Sequence, residues 1–125
     1  MLKYVMAAVC VVSAALVNAA GPACAADLSG VWYGVMVTEQ GQCPDAEDSV
    51  LKVSPGELTF SPGGGSIVLH GKRKKDVQTL HAQLRMQDAK GHPMPMVFEG
   101  QPEGDRITGV YGTPFCRAHI EMKRD

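Results

Sequence analysis

The residues best suited to bind a metal lie in the stretch GHPMPM, residues 91–96. His92, Met94 and Met96 alternate along the chain, so an extended backbone directs their side chains to the same side. Imidazole and thioether groups are ligands that suit Cu(I). The stretch therefore predicts a Cu(I) site. In the alternative interpretation, Met94 and Met96 fill gaps in a hydrophobic core, as methionine does well, and His92 belongs to a turn.

A second group of residues is basic and consecutive: Lys72, Arg73, Lys74 and Lys75. Such a cluster attracts anionic lipid headgroups, envelope polysaccharides or an acidic protein partner, at about 1 kcal/mol per charge near an anionic surface. The alternative is a solvated loop tip. The whole chain has a net charge of −1, which gives no support for nucleic-acid binding through bulk charge.

Residue spacing gives no signal for catalysis. The histidines, at positions 70, 81, 92 and 119, lack the close spacing of a zinc site. His81 and His119 would meet only if their strands were neighbours. The SPGGGS stretch lacks the Lys-Ser/Thr ending of a phosphate-binding loop. We therefore expect a protein that is not an enzyme.

The first 25 residues have the pattern of a secretory signal peptide. Lys3 supplies a positive charge ahead of an apolar run over residues 5–17. That run is too short to span about 30 Å of hydrocarbon as a helix, and its length is typical of a signal-peptide core. Small side chains predict cleavage after Ala25. We therefore expect residues 26–125 to form one domain, periplasmic or secreted, without a transmembrane span.

Cysteine usage agrees with export. Cys10 and Cys24 leave with the leader, so Cys43 and Cys116 remain and most simply form one disulfide bond in an oxidising compartment. The chain-entropy model assigns about 4 kcal/mol of stabilisation to a loop of this length. In the alternative, Cys24 is a lipidated first residue, although Gly21 stands where a lipoprotein signal prefers leucine.

The remaining chain is predicted to be all-β. Turn sequences rich in Gly and Pro separate short segments, and several segments alternate between apolar and polar residues, which indicates half-buried strands. The clearest alternation covers residues 117–123. Residues 29–38 are apolar on both faces, which indicates a central strand. About eight strands, with Cys43 after the first and Cys116 before the last, predict a closed antiparallel up-and-down barrel.

The segment 76–90 permits a second interpretation. Apolar residues alternate through its middle, which predicts a strand that runs into an Asp-Ala-Lys-Gly turn. Val77, Leu80 and Leu84 also fall at helical spacing, and Asp76 is available as an N-cap. We prefer the strand. A helix over 76–90 would change the fold to an α+β roll.

The stretch DLSGVWYG, residues 27–34, resembles the opening of calycin-type barrels, the group of lipocalins and avidins. A Gly-x-Trp motif begins the first strand in that group, and Gly30 and Trp32 match it. The resemblance implies a basic side chain of the last strand over the indole, for which the sequence offers Arg117 or Lys123. Small secreted metalloprotease inhibitors of Gram-negative bacteria open similarly, and SGVWY fits the Ser-Gly-x-x-Tyr element of periplasmic lysozyme inhibitors.

These features predict a binding module: an exported, monomeric barrel that holds a protein partner, as an inhibitor does, or a small apolar ligand, at an end loop or mouth. One alternative is a periplasmic copper-handling protein that uses His92, Met94 and Met96. Another is an envelope structural or stress protein without a discrete ligand. Only the copper alternative implies a cofactor.

Overall fold

The structure is a computed structural model that describes residues 27–74 and 77–124. The predicted signal peptide, residues 1–25, and Lys75 of the basic loop lie outside the described residues. Within the two described ranges, no helix has the length and apolar character needed to cross a membrane.

The described ranges contain nine strand segments joined by short turns and loops. They are β1 (Gly30–Gly34), β2 (Val37–Gly41), β3 (Ser49–Ser54), β4 (Glu57–Ser61), β5 (Leu69–Lys72), β6 (Leu80–Gln87), β7 (Pro93–Glu103), β8 (Arg106–Thr113) and β9 (Cys116–Arg124). A single 3-10 turn, Pro62–Gly64, lies between β4 and β5 in the described part of the chain.

These segments close into an antiparallel barrel of eight strands. From β3 to β9, each strand pairs with the next one along the chain. The segments β1 and β2 act as one interrupted strand, because β1 pairs with β3 on one side and both segments pair with β9 on the other. This closure of the first strand on the last confirms the predicted up-and-down barrel.

The predicted disulfide bond is present at this closure. Cys43 follows β2 and Cys116 begins β9, and their Cα atoms lie 5.4 Å apart, within the range that a disulfide bond spans. The two residues are separated by 73 positions in the sequence. The bond therefore ties the chain that follows the first strand to the start of the last strand.

Inward-facing side chains pack the interior of the barrel. The alternation predicted for the last strand is confirmed, because Ala118, Ile120 and Met122 are buried and the residues between them are exposed. Further inside, the rings of Phe60 and Phe98 stack with their centroids 4.2 Å apart, a favourable arrangement for aromatic pairs.

Two glycines make room for the Phe98 ring. Gly100 of β7 and Gly109 of β8 lie opposite each other. A Cβ atom would come within 2.9 Å of this ring at Gly100 and within 2.7 Å at Gly109. Because protein interiors are packed as densely as organic crystals, a larger side chain at either position would clash with the Phe98 ring.

The helix predicted as the alternative over 76–90 is wrong for the described part of that segment. Residues 80–87 form β6, which pairs along its whole length with β7. Pairing with a neighbouring strand overrides the helix propensity of Ala, Gln, Leu and Met in this segment.

The prediction of a central strand over residues 29–38 is also corrected. The strand is interrupted between Gly34 and Val37. Trp32 and Met36 are buried, whereas Val35 and Val37 are exposed. The reason is that a barrel wall has one inner and one outer face, so apolar residues in consecutive positions cannot all reach the core.

Candidate functional site

The Gly-x-Trp motif lies at the end of the barrel where β1 begins. Gly30 is the first residue of β1, and Trp32 is buried in the core. The indole Nε1–H of Trp32 donates a 2.9 Å hydrogen bond to the carbonyl oxygen of Leu28. The segment before β1 is therefore held against this end of the barrel, which we call the sealed end.

A basic side chain of the last strand covers the indole, but it belongs to Arg124. Its guanidinium carbon lies 4.3 Å from the Trp32 ring centroid, and its Nη1 donates 2.8 Å hydrogen bonds to the carbonyl oxygens of Asp27 and Ser29. The predicted candidates, Arg117 and Lys123, occupy outward-facing positions of β9. The resemblance therefore implied the right contact and the wrong residue.

The described part of the basic loop also lies at the sealed end, because β5 ends where β1 begins. Arg73 donates its backbone N–H to the carbonyl oxygen of Gly56 at 2.9 Å and directs its Nη1 to that of Ser54 at 3.5 Å. Lys72 and Lys74 are exposed. Arg73 thus steadies the β3–β4 turn, and the anionic partner stays a prediction.

The predicted metal ligands lie at the opposite end of the barrel, on a hairpin that extends beyond the two neighbouring strands. β6 and β7 pair as far as Gln87 and Pro93. The pairing with β5 stops at Gln83, and the pairing with β8 stops at Val97. Residues 84–96 therefore form an arm that β5 and β8 do not flank through pairing, and we call it the β6–β7 arm.

The two predicted methionines face the interior from this arm. Met96 is 7% exposed and belongs to the core, and Met94 is half-buried and packs against the core. This placement agrees with the core-packing alternative for Met96. Met94 lies nearer the tip of the arm, where fewer neighbours cover it.

His92 lies in the turn at the tip of the arm, and Asp88 organises that turn. One oxygen of the Asp88 carboxylate accepts the backbone N–H groups of Lys90 at 2.9 Å and His92 at 2.8 Å. The other oxygen lies 3.2 Å from Nδ1 of His92. The bond from the His92 N–H, more than any other contact, lowers the pKa of Asp88 below its ordinary value.

Sequence spacing missed one methionine of this arm. Met86 lies directly opposite Met94 in the β6–β7 ladder and is 38% exposed. The signal was the Asp-Ala-Lys-Gly turn, because a hairpin closed by that turn pairs residues on its two strands. Without the register, Met86 was only one of the alternating residues of β6.

A groove that sequence reasoning also missed runs along β8 on the outer wall of the barrel. It has a volume of about 500 Å³. Its floor is formed by small outward-facing residues of β8, namely Thr108, Val110 and Gly112. Its sides carry longer side chains from β7 and β9, among them Glu99, Gln101 and Arg117. We call this feature the β8 groove.

Apolar and charged side chains share the wall beside the groove. His119 lies opposite Val110 on one side and Val37 on the other, and Val37 is 54% exposed. The Glu39 carboxylate lies 2.9 Å from Nδ1 of His119 and 3.5 Å from Nε of Arg117. Protein interfaces combine an apolar centre with a polar rim, and exposed Val37 and Val110 beside these charged side chains offer both kinds of contact.

His81 and His119 do not meet, because β7 and β8 separate their strands. Nδ1 of His81 lies 3.1 Å from the Glu99 carboxylate, whereas His119 contacts Glu39. Among residues 27–74 and 77–124, no group of three or more His, Cys, Asp or Glu side chains is arranged to hold a metal ion.

Over residues 27–74 and 77–124, the geometry defines the class as a closed, eight-stranded antiparallel barrel with a disulfide bond between Cys43 and Cys116. Comparisons with protein-family models, with curated proteins and with solved structures gave no match. We therefore infer function from the barrel's own surfaces.

Proposed function

We propose that this chain is an exported, non-enzymatic binding module of the calycin type that holds a protein partner in the β8 groove. The observation that carries the proposal is the groove, an open depression of about 500 Å³ with a floor of small residues and charged sides.

The shape of the groove favours a protein over a small ligand. Its volume lies within the range of small-molecule pockets, about 300–1,000 Å³, but such pockets bury about 70–90% of the ligand surface. The β8 groove lies on the outer wall between side chains of two strands, so a small ligand would keep much of its surface in water. A protein segment does not need the groove to bury the side that faces away from it, because the rest of the partner covers that side.

The chemistry of the wall supplies both affinity and orientation. Covering Val37 and Val110 removes apolar surface from water, at about 25 cal/mol per Å². Arg117 at the side of the groove contacts Glu39 through Nε, and its side chain is 58% exposed. Its remaining guanidinium N–H groups favour a partner segment with an acidic group at that position, and charge matching of this kind sets register more than affinity. We therefore expect a segment with apolar side chains beside an acidic residue.

The packing of the interior also supports recognition by the outer wall. Trp32, Phe60 and Phe98 are buried inside the barrel, and the Phe60–Phe98 stack lies among the core residues of opposite walls. These inward-facing side chains serve stability. Outward-facing residues are left to contact a partner.

Two further features support export and calycin kinship. A disulfide bond between Cys43 and Cys116 persists in oxidising compartments, such as the periplasm or the outside of the cell. The Gly30–Trp32 motif at the start of a closed barrel, with Arg124 over the indole, resembles the arrangement expected of a calycin.

The test compares two outward-facing threonines in the same barrel. Thr108→Arg fills the floor of the β8 groove, whereas Thr59→Arg places the same side chain on the outer face of β4. The protein, expressed with its leader and a C-terminal tag, is used to capture partners from envelope extract, and the affinity of the purified partner is then measured. We expect Thr108→Arg to weaken binding about tenfold or more and Thr59→Arg to leave it unchanged.

Thermal unfolding of both variants is the control for folding. A partner that binds Thr108→Arg as tightly as the unsubstituted protein would contradict the proposal, as would the absence of any captured protein. That absence would favour a structural role in the envelope.

A further inference from the structure

We propose that the β6–β7 arm binds Cu(I) through Met86, Met94 and His92, with Asp88 as the residue that positions the imidazole. This site differs from the sequence prediction because Met86 takes part and Met96 lies in the core beside it. It does not depend on the proposed partner, since the β8 groove lies on the outer face and the two methionine side chains follow the inner face.

The strand register brings the two thioethers together. Met86 and Met94 are directly opposite in the antiparallel ladder, so their Cβ atoms lie about 4.5–5.5 Å apart. Both residues share the face of their strands that is buried farther along the barrel. Each side chain is long enough to bring its sulfur to a common ion, and their partial exposure gives the ion a route of entry.

The histidine follows the methionine pair at the tip of the arm. His92 precedes Met94 by two positions, and its carbonyl oxygen accepts the backbone N–H of Asp88 at 3.0 Å. Two pairs of the ladder, Leu84 with Met96 and Met86 with Met94, lie on the inner face of the arm, and the hydrogen-bonded Asp88 and His92 follow them in the turn. The imidazole is the next side chain beyond the methionine pair.

The Asp88 carboxylate prepares the imidazole to bind a metal. One of its oxygens is fixed by two backbone N–H groups, and the other faces Nδ1 of His92 at 3.2 Å. A carboxylate that accepts the Nδ1–H bond leaves Nε2 as the free ligand, which is a common arrangement around metal-bound histidines. The His92 side chain is 71% exposed, so Nε2 is accessible.

The ligand set selects among metals. Two neutral thioethers and one imidazole are soft donors that suit Cu(I). Zinc is held by thiolate, imidazole and carboxylate groups, and the hard divalent cations take oxygen ligands, so neither favours a site with two thioethers. The cysteines of the described chain offer no competing thiolate, because Cys43 and Cys116 are joined to each other.

The experiment is an anaerobic Cu(I) titration of the processed, oxidised protein against a chromophoric Cu(I) chelator. We expect one Cu(I) per protein. Met86→Leu and Met94→Leu should each weaken binding about tenfold or more, and Met122→Leu, a buried methionine of β9, should leave it unchanged. These swaps conserve side-chain volume and keep the loss of stability small.

Asp88→Asn tests the positioning role. We expect about tenfold weaker binding, with the same two sulfur neighbours of the metal in X-ray absorption spectra. An Asp88→Asn protein with unchanged affinity would remove that residue from the proposal.

The methyl resonances of the methionines test the site without any substitution. In the unsubstituted protein, the Met86 and Met94 Cε methyl signals should shift on Cu(I) addition, and that of Met122 should not. Unchanged Met86 and Met94 signals, an absence of Cu(I) binding, or equal affinities of Met86→Leu and the unsubstituted protein would overturn the proposal. None of these results would bear on the proposed partner site in the β8 groove, because that proposal is tested with Thr108 variants and a protein partner.

Discussion

The two ends of the barrel use the same alternation of inward and outward residues for different purposes. At the sealed end, Trp32 is buried under Arg124 and hydrogen-bonded to Leu28. At the other end, the inward-facing residues of β6 become more exposed along the strand, from buried Leu80 to half-exposed Met86. The difference comes from the neighbours, because the β6–β7 arm extends beyond its pairing with β5 and β8.

An inward-facing position is a core position only where adjacent strands cover it. At the sealed end, the apolar residues are buried and stabilise the fold. The arm leaves methionine side chains partly open to solvent, where flexible and polarisable groups are available to a ligand. Substitutions at the two ends should therefore differ in the property that they change.

The largest effect is expected at the sealed end. Trp32→Ala should lower the free energy of unfolding by about 3–5 kcal/mol, because it leaves a cavity and removes the contacts to Leu28 and Arg124. Met86→Ala should lower it by about 1 kcal/mol or less, since this side chain is already 38% exposed. Chemical denaturation measures both, and equal losses would remove the distinction between the ends.

The disulfide bond is expected to have the next largest effect. Replacing both Cys43 and Cys116 with serine should lower the free energy of unfolding by about 4 kcal/mol, since the bond closes a loop across 73 positions. Reduction of the unsubstituted protein should cause a similar loss, and a reductant should not change the serine variant. A decrease in the free energy of unfolding below about 1 kcal/mol would show that the closure of the first strand on the last is stable without the disulfide bond.

Two glycines of β8 differ in how closely the core between the two ends packs against them. Gly109→Ala should destabilise by about 1–3 kcal/mol, because its Cβ atom would come within 2.7 Å of the Phe98 ring. Gly112→Ala is the matched control, since the nearest atom to its Cβ is 4.0 Å away. Thermal unfolding of the two proteins checks the difference, and a Gly112→Ala loss as large as that of Gly109→Ala would contradict this packing.

The smallest effect concerns pH and the tip of the arm. Hydrogen bonds from the His92 and Lys90 N–H groups lower the pKa of Asp88 from its ordinary value of 3.8. Ionised Asp88 therefore stabilises the fold above that pH, and its contribution is lost as the pH falls through the lower pKa of the folded state. An NMR titration of the Asp88 carboxyl should give a pKa below 3.8, and a value at or above it would contradict these hydrogen bonds.

Much of the fold could be predicted from local patterns. Alternation over residues 117–123 and the turn sequences indicated the strands, and the positions of Cys43 and Cys116 indicated which strands close the barrel. These signals are local, or depend on a single covalent pair. The interruption of the first strand was missed because its apolar residues gave no sign of which ones face solvent.

The candidate sites were harder to predict because they depend on register. Arg124 covers Trp32 because it occupies one of the alternate positions of β9 that face inward. The family resemblance did not specify which residue of the last strand this would be. Met86 meets Met94 only through hairpin pairing. The β8 groove needs small residues on one strand and longer side chains on both neighbours, and neither relation is visible along the chain.

An NMR titration of the isotope-labelled, oxidised protein with the partner that it captures tests whether the outer wall holds that partner. We expect the largest amide shifts on β7, β8 and β9 around Thr108, Val110 and Arg117. Shifts concentrated on the β6–β7 arm or on the basic loop, with the β8 groove unchanged, would contradict the proposal.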